Sequence, residues 1–129
     1  MKFTILTLFP QMFEPINHSI IERANKKNLI NIDIIDIREF SKDKHKHVDD
    51  TPYGGGAGMV IRPDVVYDAY NSVKDESSKV IYLSPKGNTL NQEKVKNLSR
   101  EKHLILLCGH YEGIDQRVLD EIACGEISI

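Results

Sequence analysis

His103-Leu104-Ile105-Leu106-Leu107-Cys108 is the most apolar run in the chain. A short continuous apolar run of this kind reads as a strand buried on both faces. Working outward, Val80-Ile81-Tyr82-Leu83 reads as a second short buried strand. Leu29–Ile37 is apolar with only partial alternation, and Lys2–Phe9 is a β-rich run that stops at Pro10. Helical patterns separate these runs. Met12, Ile16, Ile20 and Ala24 recur every four residues, with Pro15 interrupting the pattern so that the main helix starts there or later, and Pro10–Glu14 a separate turn. Pro63 and Asp64 suit the first turn of a helix that buries Val66, Ala69, Tyr70 and Val73. Thr89-x-x-Gln92 resembles a capping box opening a helix through Arg100. Ile114, Val118 and Ile122 mark a last helix, and Glu126–Ile129 the start of one more strand. Strands that alternate with helices and read as doubly covered predict an α/β domain around a mostly parallel sheet flanked by helices.

The chain has 129 residues, 40% hydrophobic and 28% charged, which suits one domain with a sizeable core. Its net charge of −2 provides no global pull toward nucleic acid or anionic membrane, so a polyanion partner must meet a local basic patch. No apolar run approaches the ~20 residues of a membrane span, and the N-terminus lacks a signal-peptide pattern. A cytoplasmic location is the expectation. Cys108 and Cys124 lack metal or disulfide spacing and are expected as free buried thiols.

In open parallel sheets, ligands bind beyond the carboxyl ends of the strands. Ser84-Pro85-Lys86-Gly87 follows one strand and Gly109-His110-Tyr111-Glu112-Gly113 another. Their glycines permit close backbone approach to a ligand, although ordinary turns use the same residues. No GxGxxG or Walker A pattern is present, so a nucleotide-binding protein of those classes lacks its fingerprint.

Arg38–Met59 reads as a long polar loop, and loops beyond ~12–15 residues are usually functional or disordered. Lys42, Lys44, His45, Lys46 and His47 form a basic cluster that is either a solvated turn or a phosphate-contacting patch. The adjacent Asp49 and Asp50 suit a base edge or a turn cap better than a metal, because neighbouring carboxylates in an extended segment point apart. Tyr53 is a stacking or a packing ring. Gly54, Gly55, Gly56 and Gly58 then place four of the chain's eight glycines together.

Several motifs in order carry a family resemblance over the whole length. They are Leu8-Phe9-Pro10-x-Met12-Phe13, His45-x-x-Val48-Asp49-Asp50-x-Pro52-Tyr53-Gly54-Gly55-Gly56-x-Gly58-Met59 and Val80-Ile81-Tyr82-Leu83-Ser84-Pro85-x-Gly87. Leu106-x-Cys108-Gly109-x-Tyr111-Glu112-Gly113-Ile114-Asp115-x-Arg117 and Glu126-Ile127-Ser128-Ile129 complete the set. The chain resembles the N-terminal part of the bacterial tRNA (guanine-37-N1)-methyltransferases of the SPOUT class. The resemblance implies an α/β fold with a trefoil knot, a homodimer, and methyl transfer from S-adenosylmethionine to N1 of guanosine 37 in tRNA.

By position, the resemblance places the cofactor against Tyr82, Leu83, Ser84 and Pro85, against Gly109, Tyr111, Glu112 and Gly113, and against Ser128 and Ile129. It places tRNA against His45, Asp49, Tyr53, Gly54, Gly55, Gly56 and Gly58; no metal site is expected from the residues. The family's general-base aspartate and its C-terminal tRNA-binding domain lie beyond Ile129. Residues 1–129 are therefore expected to be a truncated methyltransferase domain, inactive alone. His110 stands where the family more often has Arg, and Gln116 where it more often has Glu. The alternative reading is a noncatalytic RNA-binding module using the basic loop.

Overall fold

A computed structural model describes residues 1–50, 60–109 and 113–129. Five parallel strands form one sheet in the order β2-β1-β6-β5-β7. These are β1 (Lys2–Thr7), β2 (Asn31–Asp36), β5 (Ser78–Thr89), β6 (His103–Cys108) and β7 (Ala123–Ser128). Two short strands, β3 (Asp49–Asp50) and β4 (Val60–Ile61), form a separate antiparallel pair. The helices are α1 (Ile20–Lys26), α2 (Pro63–Val73), α3 (Gln92–Leu98) and α4 (Gln116–Ile122). The expected mostly parallel α/β sheet is therefore present.

The apolar run of β6 lies at the centre of the sheet, where both of its faces are covered. Ile105 and Leu107 face one side, where Leu6, Val80, Tyr82, Val66 and Ala69 of α2, and Val118, Leu119 and Ile122 of α4 complete the main core. Leu104 packs on the other side with Ile81 and Ile127, against the partly buried Phe3, Leu83, Leu90, Leu98 and Leu106. That second side keeps an apolar groove of about 300 Å³ between α3 and the sheet.

Several boundaries differ from the sequence reading. Residues Pro10–His18 form one 3₁₀ segment that runs through Pro15, and α1 begins only after Ser19, whose hydroxyl accepts from the Ile21 amide at 3.2 Å. The four-residue stripe does not become a buried face: Met12 is 72% and Ile20 77% exposed. Strand β2 is shorter than Leu29–Ile37 and only half-buried, because it forms an edge of the sheet. The polar stretch after it is not all loop, since Ile37–Phe40 forms a 3₁₀ turn capped by Asp36.

Asn91, not Thr89, caps α3, accepting from the Lys94 amide at 2.9 Å, and the helix ends at Leu98. Both cysteines are free, but Cys108 is only half-buried and Cys124 is exposed. Cys124 lies on β7, the sheet's other edge, where alternate side chains meet solvent.

The largest revision concerns Ser84–Gly87. This segment is not a turn after a short strand; it lies inside β5, which continues to Thr89. Leu83 and Asn88 both stand opposite Ile127, so the residues between them bulge out of the ladder. Pairing then resumes at Thr89, opposite Ser128, and the Leu90 amide donates to the Ser128 carbonyl at 2.9 Å. The sequence shows Pro85 and Gly87 as turn punctuation, while the pairing with β7 is a non-local event.

Candidate cofactor cleft

The pairing of β5 with β6 ends where Leu83 stands opposite Cys108, the last residue of β6. Beyond that point the Ser84–Gly87 bulge and the segment starting at Gly109 leave the sheet. Between them lies a cleft of about 630 Å³, within the ~300–1,000 Å³ of small-molecule sites. Tyr82, Leu83, Ser84, Pro85 and Lys86 form one wall, with Gly109, Gly113 and Ile114 opposite. Gln116 and Leu119 of α4 and Glu126 of β7 close it. A smaller adjoining recess of about 270 Å³ joins Leu83, Ser84 and Pro85 to Ile127, Ser128 and Ile129. Three segments distant in sequence thus meet around Leu83–Pro85.

Two glycines are required by this geometry. A Cβ on Gly109 would lie 2.9 Å from the Tyr82 hydroxyl and 3.1 Å from its ring. Gly113 has a φ of +118°, and a Cβ there would also meet that hydroxyl at 2.9 Å. Tyr82 therefore stands beneath both ends of the second segment. Its ring is buried, and its hydroxyl bonds to the Ile114 backbone. Burial pushes the phenol's pKa up, so it stays a neutral hydrogen-bonding group.

The second segment is anchored on its far side as well. The Ile61 amide donates to the Gly113 carbonyl at 3.0 Å, and the Asp115 amide donates to the Ile61 carbonyl at 3.3 Å. Asp115 is buried and caps α4. It accepts from the Arg117 amide and Nε, each at 2.9 Å, and from Nη2 at 2.6 Å. The Arg117 guanidinium holds its carboxyl below the usual carboxylate range.

Strand β4 connects this anchor to the polar stretch, because Ile61 also stands opposite Asp49. Asp49 is thereby tied to the backbone beside the cleft. His45 is exposed and outside the cleft, its amide donating to Asp43 Oδ1 at 2.9 Å. His47 Nδ1 is paired with Asp43 Oδ2 at 2.6 Å. The candidate residues Tyr53, Gly54, Gly55, Gly56, Gly58, Tyr111 and Glu112 lie outside the described residues. Among the described residues, no group of three metal-ligating side chains comes together. None of the described helices is long and apolar enough to cross a membrane.

The sequence matches a known family. A family profile described as tRNA (Guanine-1)-methyltransferase TrmD matches residues 1–129. The chain belongs to this family. Among curated relatives, a tRNA (guanine-N(1)-)-methyltransferase of Ruminiclostridium cellulolyticum is 53% identical over 133 residues, covering 100% of this chain and 57% of that protein. The protein of the same name in Alkaliphilus metalliredigens is 53% identical, covering 100% of this chain and 55% of the relative. One from Clostridium perfringens is 56% identical over 92% of this chain and 50% of its own length. The chain thus spans 50–57% of these relatives' lengths.

Sequence motifs had pointed to the loops but not to everything that lines the cleft. Lys86, Ile114, Gln116, Leu119 and Glu126 also line it. Glu126 belongs to the closing Glu-Ile-Ser-Ile motif, where it read only as the start of a strand. The signal for it is alternation: it shares a strand face with Ser128, and its strand pairs with Tyr82.

Proposed function

We propose that the cleft holds S-adenosylmethionine and that the activity is methylation of N1 of guanosine 37 in tRNA, next to the anticodon. The observation that carries this reading is the meeting of Tyr82–Pro85, Gly109 and Gly113, with Ser128 and Ile129 in the adjoining recess. When bound, S-adenosylmethionine supplies a methyl group already activated by its sulfonium. The chain's part is to bind and align. Leu83 and Pro85 offer apolar wall, and the turn backbone at Gly109 and Gly113 offers amides and carbonyls without side-chain obstruction. Tyr111 and Glu112 belong to the same proposed set.

Guanine N1 carries a proton at neutral pH, so its methylation requires a base. The target base must also leave its stack to reach the methyl. Asp49, His45, Tyr53, Gly54, Gly55, Gly56 and Gly58 are the proposed tRNA side of the site. Asp49 is the carboxylate of this chain best placed to touch the nucleotide. The general base itself is assigned to the part of the family's sequence outside residues 1–129. The same reading carries with it a trefoil-knotted SPOUT fold, a homodimer and a cytoplasmic setting.

Isothermal titration with S-adenosylmethionine and S-adenosylhomocysteine tests the cofactor half. Binding of both by a chain spanning the relatives' full length is expected; such a chain that binds neither overturns the reading. Methyl transfer by a longer chain spanning the relatives' full length, to transcripts with G or A at position 37, tests the other half. A second reading, RNA binding without transfer, rests on the exposed Lys42, Lys44 and Lys46. It predicts salt-dependent tRNA affinity that Lys44→Ala and Lys46→Ala reduce, with no cofactor dependence.

A further inference from the structure

Among the described residues lining the cleft, Glu126 is the one carboxylate and Lys86 the one cation. Glu126 reaches the cleft from β7, where it stands opposite Tyr82. Its Oε1 accepts a hydrogen bond from the Ser84 hydroxyl on the bulge across the ladder. That hydroxyl in turn accepts from the Lys86 amide at 3.1 Å. The carboxylate is thus held at the seam between the main cleft and the adjoining recess, since Ser84 lines both. Its charge reaches the nearby phenol too: after burial, the main cause, Glu126 helps raise the Tyr82 pKa.

We infer that Glu126 makes this cleft discriminate by charge, favouring a cationic methyl donor over the neutral product that remains after transfer. The inference rests on the donor reading above. S-adenosylmethionine and S-adenosylhomocysteine differ by one methyl group and one positive charge on sulfur. An apolar pocket separates ligands that differ by one methyl only weakly. Glu126 is exposed at the rim of the cleft, and a carboxylate tethered there attracts the sulfonium charge and has no counterpart interaction with the thioether. The expected consequence is easier release of product, without any change in the contacts to the adenosine they share.

Titration calorimetry with both ligands on wild type, Glu126→Gln and Ser84→Ala tests this. Glutamine keeps the size of the side chain and an acceptor for the Ser84 hydroxyl, so it removes charge while leaving the bulge tethered. Glu126→Gln is expected to weaken S-adenosylmethionine about tenfold and S-adenosylhomocysteine by less than about threefold. Ser84→Ala is expected to weaken both alike, because it loosens the bulge and keeps the charge. In wild type, added salt is expected to weaken the donor more than the product. Equal losses for both ligands in Glu126→Gln, or no loss, overturn the inference. So does a Ser84→Ala variant with the same selective loss, or equal salt dependence for the two ligands. Wild type spanning the relatives' full length that binds neither ligand overturns the donor reading itself.

Discussion

At the amino ends of β1, β6 and β5, polar side chains use one another as partners. His103, 1% exposed, places Nε2 2.8 Å from the Thr4 hydroxyl. Its Nδ1 lies 3.0 Å from Asp75 Oδ2 and 2.8 Å from the Ser78 hydroxyl. A carboxylate only accepts, so Nδ1 carries a proton and donates it toward Asp75. Asp75 also accepts from the Ser77 amide and hydroxyl and from the Ser78 hydroxyl. At the carboxyl ends of the same sheet the arrangement is reversed. Two glycines make room beside Tyr82, a bulge interrupts β5, and a carboxylate borders a cleft. A buried polar cluster that satisfies itself is a structural staple. A strand end that spends glycine and pairing to stay open is a place for a ligand.

Gly87→Ala is the harshest way to break the open end. A Cβ at Gly87 would lie 2.6 Å from the Ile127 nitrogen and 2.7 Å from the Glu126 carbonyl carbon. Backbone cannot turn aside as a flexible side chain does, so β5 and β7 must separate locally. The expected cost is about 3 kcal/mol in urea unfolding, with loss of donor binding. Near-native donor affinity in this variant would show that the bulge does not shape the site.

His103→Leu attacks the closed end instead. It strands the Thr4 hydroxyl, itself 1% exposed, and removes one partner of Asp75. An unsatisfied buried group costs roughly 1–3 kcal/mol, and a loss of that size is expected in chemical denaturation. Donor affinity in the folded variant is expected to stay within about twofold of wild type, because the two ends share no polar contact among the described residues. A matching loss of affinity would mean that the ends are coupled through the strands.

The two ends were also unequally legible in the sequence. Apolar runs identified the sheet's central strands, and Gly-Pro punctuation identified both cleft segments. Those signals are local. The staple had no local signal: Thr4, Asp75, Ser78 and His103 come from three separate segments, and His103 read only as the first residue of an apolar run. The bulge was hidden for the same reason, since Ser84–Gly87 looks like a turn until β7 pairs on both sides of it. Glu126 joins the cleft only through that pairing. Sequence periodicity reports what a segment buries, not which strand will lie beside it.

Acid sharpens the comparison with a smaller effect. The Ser77 hydroxyl, then the Ser77 amide and the Ser78 hydroxyl, with His103 nearby, hold the Asp75 pKa at about 2, against an ordinary 3.8. A depressed folded-state value means that the unfolded chain binds the proton first as pH falls. Asp75 therefore contributes its stability above the ordinary value and loses it as pH falls from 3.8 toward about 2. Asp75→Asn is expected to flatten the pH dependence of stability in that window and leave the cleft unchanged. An unchanged acid slope would mean that the carboxylates elsewhere, Asp115 among them, carry the acid response.

Ile20→Ser is expected to do least, and it tests a helical sequence pattern that the structure does not use. Met12, Ile16, Ile20 and Ala24 have helical spacing, but spacing specifies a face only if one regular helix carries all four residues. Here a 3₁₀ segment through Pro15 and the extended Ser19 break the chain before α1. The phase is lost at that break, and Ile20 emerges 77% exposed. With little apolar area to lose, Ile20→Ser should change stability by no more than about 0.5 kcal/mol in the monomer. A cost several times larger, without concentration dependence, would mean that the stripe is buried after all and belongs with the core rather than outside both ends of the sheet.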